Sequence, residues 1–104
     1  MAKEVLYTAR RLSAEEALRT GLINQLVPAD ELKQTVTEIG MMIAENAPLS
    51  IRNAKINVEN ILKDRVNRDM EACKAATDAC MASEDYVEGR RAFMEKRKPV
   101  FRGK

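Results

Sequence analysis

Four glutamates, two cysteines and a basic terminal stretch are the residues of this sequence with chemistry to offer. Glu15, Glu16, Glu88 and Glu95 could each serve as a general base on paper. Glu15 and Glu16 fit the first turn of a helix better, and Glu88 and Glu95 sit in a basic helix where they balance charge. No catalytic residue is therefore assigned. Histidine, the commonest general base and metal ligand, is absent. Cys73 and Cys80 are too few for a zinc site without histidine partners, so no metal site is expected. In a helical pattern their spacing of seven residues is about 10 Å along one face. A disulfide needs Cα atoms within about 7 Å, so the pair reads as two small buried apolar residues in a reducing compartment.

The third feature is electrostatic. Between Arg90 and Lys104 there are seven basic residues, Arg90, Arg91, Lys96, Arg97, Lys98, Arg102 and Lys104, against one acid, Glu95. That stretch carries +6; with a net charge of +2 overall, residues 1–89 carry −4. A basic end on a mildly acidic body signals a partner: a phosphate-bearing ligand, a nucleic acid or the acidic face of another subunit.

Helices must position these groups. The 104 residues suit one small domain; 45% are apolar, 33% charged and only 4% aromatic, with no Trp. A core of Leu, Ile, Val, Ala and Met favours packed helices over a β-sandwich. The pattern predicts five to six helices, near 1–7, 14–20, 30–46, 48–63, 66–82 and 84–97, with at most one short strand near 22–27. Ser13 and Glu16 form a capping box, and Gly21 is a left-handed terminator. Leu32, Val36, Ile39 and Ile43 share one face of the third helix. Gly40 interrupts that helix, and a close crossing would explain it. Pro48 opens the fourth helix, Lys63-Asp64-Arg65 is the expected turn, and Ser83 caps the last helix. No apolar run approaches the ~20 residues of a membrane span. No signal-peptide core is visible, and the uncapped apolar start suggests a chain cut from a longer parent.

Three stretches in order carry a family resemblance. The first runs from Ala2-Lys3-Glu4-Val5-Leu6-Tyr7-Thr8 through Ser13-Ala14-Glu15-Glu16-Ala17 to Gly21-Leu22-Ile23-Asn24 and Pro28. The second is Asn46-Ala47-Pro48-Leu49-Ser50-Ile51 with Ala54-Lys55. The third joins Ser83-Glu84-Asp85 and Glu88-Gly89 to Ala92-Phe93-Met94-Glu95-Lys96-Arg97-Lys98-Pro99-Val100-Phe101. Together they resemble the C-terminal helical segment of the crotonase (enoyl-CoA hydratase/isomerase) family across essentially the whole chain. Ala9 departs from the pattern, standing where the family often has Gly.

The resemblance implies a division of labour. Residues 1–28 would end the family's spiral core, and 29–104 would be the C-terminal helical oligomerisation region with a basic tail at 90–104. Family members are longer, and their upstream part holds the catalytic carboxylates and the backbone N–H pair that binds the thioester oxyanion. The parent would hydrate 2-enoyl-CoA through an enolate held by backbone donors. Isomerases, thioester hydrolases, decarboxylases and ring-forming synthases also belong to the family. Its C-terminal helices pack trimers, often paired into hexamers, so self-association is expected; a dimer or another oligomer is open to this chain alone. Coenzyme A thioester would be a substrate, with no tightly bound cofactor. Phe93 would lie against the adenine and Lys96 against a phosphate, consistent with a flat ring for a purine and an ammonium for an anion. Both residues, three apart, are expected on one helix face, although each could equally be core or solvated surface. The isolated chain is expected to be inactive, cytoplasmic, or mitochondrial in a eukaryote, and not membrane-bound. The competing reading is a small helical interaction or nucleic-acid-binding module; the absence of helix-turn-helix spacing and the few aromatics near the tail count against it.

Overall fold

The computed structural model describes residues 1–104. It contains six α-helices, one 3₁₀ turn and no strand. None of the helices is long and apolar enough to cross a membrane. Two compact units, 1–37 and 38–104, divide the chain within its third helix.

The first unit is organised by helix ends. Helix α1 (Ala2–Thr8) terminates at Ala9, whose φ of 51° lies in the left-handed region. Here an alanine occupies a conformation that glycine adopts without a steric cost, which gives the family's glycine a physical meaning. Arg10 joins α1 to α2 (Ala14–Arg19): its guanidinium bonds Glu4 at 3.1 Å and Glu16 at 3.3 Å. The predicted capping box is present, with the Glu16 N–H donating to Ser13 Oγ and the Ser13 N–H to Glu16 Oε2, both at 3.1 Å. Beyond α2, Gly21 has φ 74°. The Leu22 N–H donates to the Ala17 carbonyl at 2.9 Å and the Gly21 N–H to that of Leu18 at 3.1 Å, the paired bonds of a Schellman motif. Leu22–Val27, the strand-like run, forms bends and irregular chain. A lone strand has no ladder partner for its amides, so the run follows the glycine turn instead.

Helix α3 (Leu32–Ala44) begins two residues later than the pattern predicts and buries no residue. A Cβ on Gly40 would meet nothing within 4 Å, so the chain makes no close crossing there.

In the second unit, α4 (Pro48–Ile61) and α5 (Met70–Met81) form an antiparallel hairpin. Three side-chain contacts mark its register: Ser50 with Cys80 at 3.2 Å, Asn53 with Thr77 at 3.2 Å, and Asn60 with Cys73 at 3.1 Å. Cys73 is buried as expected, but Cys80 is only half-buried beside Ser50; both thiols are free. The predicted fifth helix, 66–82, is shorter than its apolar pattern. Arg65–Asn67 form the 3₁₀ turn, and Val66 is 91% exposed. Asn60, 4% exposed, sets the start of α5 by accepting from the Asp69 N–H at 2.9 Å and donating to the Asp69 carbonyl at 3.0 Å. Asp69 then caps the helix by accepting from Ala72 N–H at 2.8 Å. Arg68 donates to the carbonyls of Ile61 and Lys63, which α4 leaves open at its C-terminus.

Helix α6 (Glu84–Glu95) starts at Ser83, whose hydroxyl accepts from the Tyr86 N–H at 3.0 Å. It ends two residues earlier than predicted. Lys96 adopts φ 53°, and the Arg97 N–H closes the turn on the Ala92 carbonyl at 3.0 Å. This is the hydrogen-bond pattern seen after α2, with lysine where α2 has glycine. Residues 97–104 then fold back along α6 as a strap.

Candidate functional site

The strap and the face of α6 beneath it form the candidate site. On α6, Tyr86, Gly89, Arg90 and Phe93 recur at helical spacing and so share one face. With Met94, the strap residue Phe101 and the start of α4 at Ala47 and Ser50, they line an open groove of about 380 Å³. Phe93 is 82% exposed, which settles whether it belongs to the core: it does not. Ala92, its neighbour, is 1% exposed and supplies the packing side of the helix. The groove thus offers aromatic rings and one guanidinium, a surface suited to a flat anionic molecule.

Lys96 departs from the sequence reading. The helix stops before it, its left-handed backbone takes it off the helical face shared by Phe93, and it is not among the groove-lining residues. The cation that does line the groove with Phe93 is Arg90, one turn earlier. Helical spacing could have found it: Arg90 and Phe93 stand in the same three-residue relation expected of Phe93 and Lys96. Neither Arg90 nor Lys96 has a carboxylate partner, whereas Lys98 pairs with Glu45 at 2.6 Å and Lys104 with Glu84 at 3.7 Å. With Arg97, three of the seven cations of the terminal stretch are therefore paired within the chain.

Arg97 is the most heavily committed cation. It forms a two-pronged pair with Glu88, at 2.6 and 2.9 Å, and bonds Glu95 at 2.6 Å. These contacts draw the Glu88 carboxyl down to about 2, chiefly through the Arg97 hydrogen bond and next through the Val100 amide, which donates at 3.0 Å. The Arg97 guanidinium is pushed up in turn, first by Glu88 and then by Glu95. In the first unit, the Glu15 carboxyl is lowered by its own backbone amide and the Ser13 hydroxyl. That of Glu16 is lowered by the Ser13 amide and then by Arg10. A general base works best when tuned toward neutrality, and Glu15, Glu16 and Glu88 are displaced the other way. No three His, Cys, Asp or Glu residues cluster as a metal site.

Asp85 stands out in the sequence only as part of the Ser83-Glu84-Asp85 motif, yet it lies in the first turn of α6, is 2% exposed and borders the groove. Its two oxygens accept from the Arg102 and Gly103 amides, each at 2.7 Å, and its own N–H donates to the Lys104 carbonyl at 3.1 Å. The Phe101 ring rests on Gly89, about where a Cβ would stand 3.5 Å away. At Gly103, φ 76°, an added Cβ would stand 3.6 Å from the Pro48 ring, so the strap passes beside the start of α4. The Ser83-Glu84-Asp85, Glu88-Gly89 and Pro99-Val100-Phe101 pieces of the sequence are thus parts of one clasp.

A sequence model of the enoyl-CoA hydratase/isomerase family matches residues 1–104. The chain is 38% identical over 101 residues to a crotonyl-CoA hydratase of Syntrophomonas wolfei, covering 97% of this chain and 39% of that protein. It is 35% identical over 105 residues to the methylmalonyl-CoA decarboxylase of Escherichia coli, covering 99% and 40%. The crystal structure of enoyl-CoA hydratase from Bacillus anthracis superposes with a TM-score of 0.87 at 36% identity, over 99% of this chain and 40% of that one. Across the curated relatives the chain spans between 34% and 41% of their length. A match that runs from the first residue to the last leaves one conclusion: the chain belongs to the enoyl-CoA hydratase/isomerase family.

Proposed function

We propose that this chain is the helical, C-terminal part of an acyl-CoA-processing protein, supplying subunit assembly and a contact for the nucleotide end of coenzyme A. The observation that carries the nucleotide reading is Phe93, exposed on a groove that also holds Arg90. The named relatives differ in reaction, hydration in one and decarboxylation in another, but each is named for a coenzyme A ester. The nucleotide handle is the part of such substrates that does not change with the reaction. Hydration of a 2-enoyl-CoA is the reaction we assign to the parent protein, with its catalytic groups outside this chain. Lys96 acts beside the groove, on a backbone conformation that costs a non-glycine residue about 1–2 kcal/mol. Such a cost is tolerated most readily where the side chain has a task.

Assembly is supported by surface. The chain exposes 8913 Å², against about 5,900 Å² for a compact folded monomer of its mass. Leu32, Val36, Ile39 and Ile43 of α3 are all exposed, as are Met41 and Met42. We assign residues 1–28 to the junction with the family's core, and the free thiols suit a cytoplasmic or mitochondrial-matrix location.

Calorimetric titration tests the nucleotide reading. Coenzyme A should bind and pantetheine should not. Phe93→Ala should abolish measurable binding, and Lys96→Ala should weaken it about tenfold, the worth of 1.4 kcal/mol. Equal binding of coenzyme A and pantetheine would place the contact elsewhere and sink the assignment of Phe93 and Lys96.

A further inference from the structure

We propose that Asp85 is the positioning residue of the groove: it clamps the strap at Arg102 and Gly103 and so fixes Phe101 as one wall of the site. The inference rests on the nucleotide reading above and adds a residue that the reading does not need.

Asp85 poses a puzzle in a site meant for an anion. It is a carboxylate bordering the groove, it is 2% exposed, and no cationic side chain pairs with it. A negative charge there would repel a phosphate unless it were engaged otherwise. Both oxygens are engaged, by the consecutive amides of Arg102 and Gly103, and the Asp85 N–H holds the Lys104 carbonyl in return. One turn along α6, Glu88 holds the Val100 amide. Phe101 lies between these two anchors, so its backbone is fixed on both sides. Its ring meets α6 at Gly89, where no side chain intervenes. Remove the Asp85 carboxylate and the anchor next to Phe101 is gone, leaving Glu88 on Val100 upstream and the Lys104 contacts at the very end of the strap. Phe101 is then free to leave the groove while Phe93 and Arg90 stay on the helix.

Asp85→Asn is the discriminating substitution. It keeps the shape, but an amide has one acceptor oxygen where two amide donors must be received, and its NH₂ then faces an N–H. In the full chain, amide exchange at Arg102 and Gly103 should accelerate by at least tenfold, with helix content and protection around Cys73 unchanged. Affinity for coenzyme A should fall about tenfold. Phe101→Ala leaves the carboxylate and its two amide partners in place and should cause a similar loss. The double variant should be no worse than either single one, because both act through the same ring.

Three results overturn the proposal: a released strap with undiminished affinity, additive losses in the double variant, or Phe101→Ala binding as the unaltered chain does. Failure of the underlying reading is separately visible. In that case the unaltered chain itself does not bind coenzyme A, and the positioning role falls with it whatever the exchange rates.

Discussion

Helix α3 and helix α6 are of nearly equal length, and both carry apolar residues at helical spacing, but they are held in opposite ways. Every end of α6 has a partner within the chain: Ser83 at its start, the Asp85 and Glu88 carboxylates on the strap, and a closed hydrogen-bonded turn at Lys96. Helix α3 buries none of its thirteen residues. The difference separates two kinds of information. An amphipathic stripe says that a face must be covered without saying by what. A carboxylate matched to two amides names its partner through geometry.

Loading α3 with charge should break this contrast most visibly. If its stripe is the assembly face, Ile39→Glu with Ile43→Glu removes two side chains each worth about 1.5–3 kcal/mol when fully buried. Even with half of that realised, self-association should weaken by more than tenfold, read by sedimentation velocity over a wide concentration range. The strap amides should be unaffected. A sharp monomer before any substitution, at every concentration, would remove α3 as an assembly surface.

Acid sharpens the other side. The Glu88 carboxyl lies at about 2, below the ordinary 4.5, so its hold on the strap is complete above the ordinary value and lost as pH falls toward 2. The Val100 amide should therefore stay protected from pH 7 to pH 5 and lose protection between about pH 4 and 2, after correction for intrinsic exchange. Glu88→Gln should reproduce the loss at neutral pH by removing the charged half of the Arg97 pair. Protection that persists at pH 7 in Glu88→Gln would show that Asp85 alone suffices.

Much of this contrast is legible in the sequence, and the parts that are not have common causes. Ser13, Gly21, Pro48 and Ser83 announce their helix ends because each acts on residues within four positions. The start at Met70 runs late because the apolar pattern reaches back to Val66, and that at Leu32 because the acids Asp30 and Glu31 lie in the turn before the helix. The α5 boundary is set by Asn60, nine residues away from Asp69. Motif and chemistry single out Phe93, and the structure leaves it exposed on the groove. Arg90 was within reach of helical spacing, but Asp85 was not, because the clasp exists only once the strap folds back, a contact spanning seventeen residues from Asp85 to Arg102. The shared face of Phe93 and Lys96 failed for a different reason: nothing in the local sequence marks Lys96 as a left-handed residue, since lysine is not a usual terminator.

That last failure permits the finest test, a comparison of two helix ends with the same hydrogen bonds. Gly21 and Lys96 both occupy the left-handed position after a helix. If the two ends differ only in residue type, Gly21→Ala should cost about 1 kcal/mol and Lys96→Gly should gain about as much, since the steric penalty of a side chain there is of that order. Urea unfolding with an unchanged slope would measure both. The contrast with ligand binding is the sharper part. Lys96→Gly should stabilise the chain while weakening coenzyme A about tenfold, because the strain is relieved and the ammonium is lost together. A lysine whose replacement improves stability and leaves coenzyme A affinity intact is only an uncomfortable helix terminator. In that case Arg90 would be the sole remaining candidate among the groove's cations to meet the phosphate.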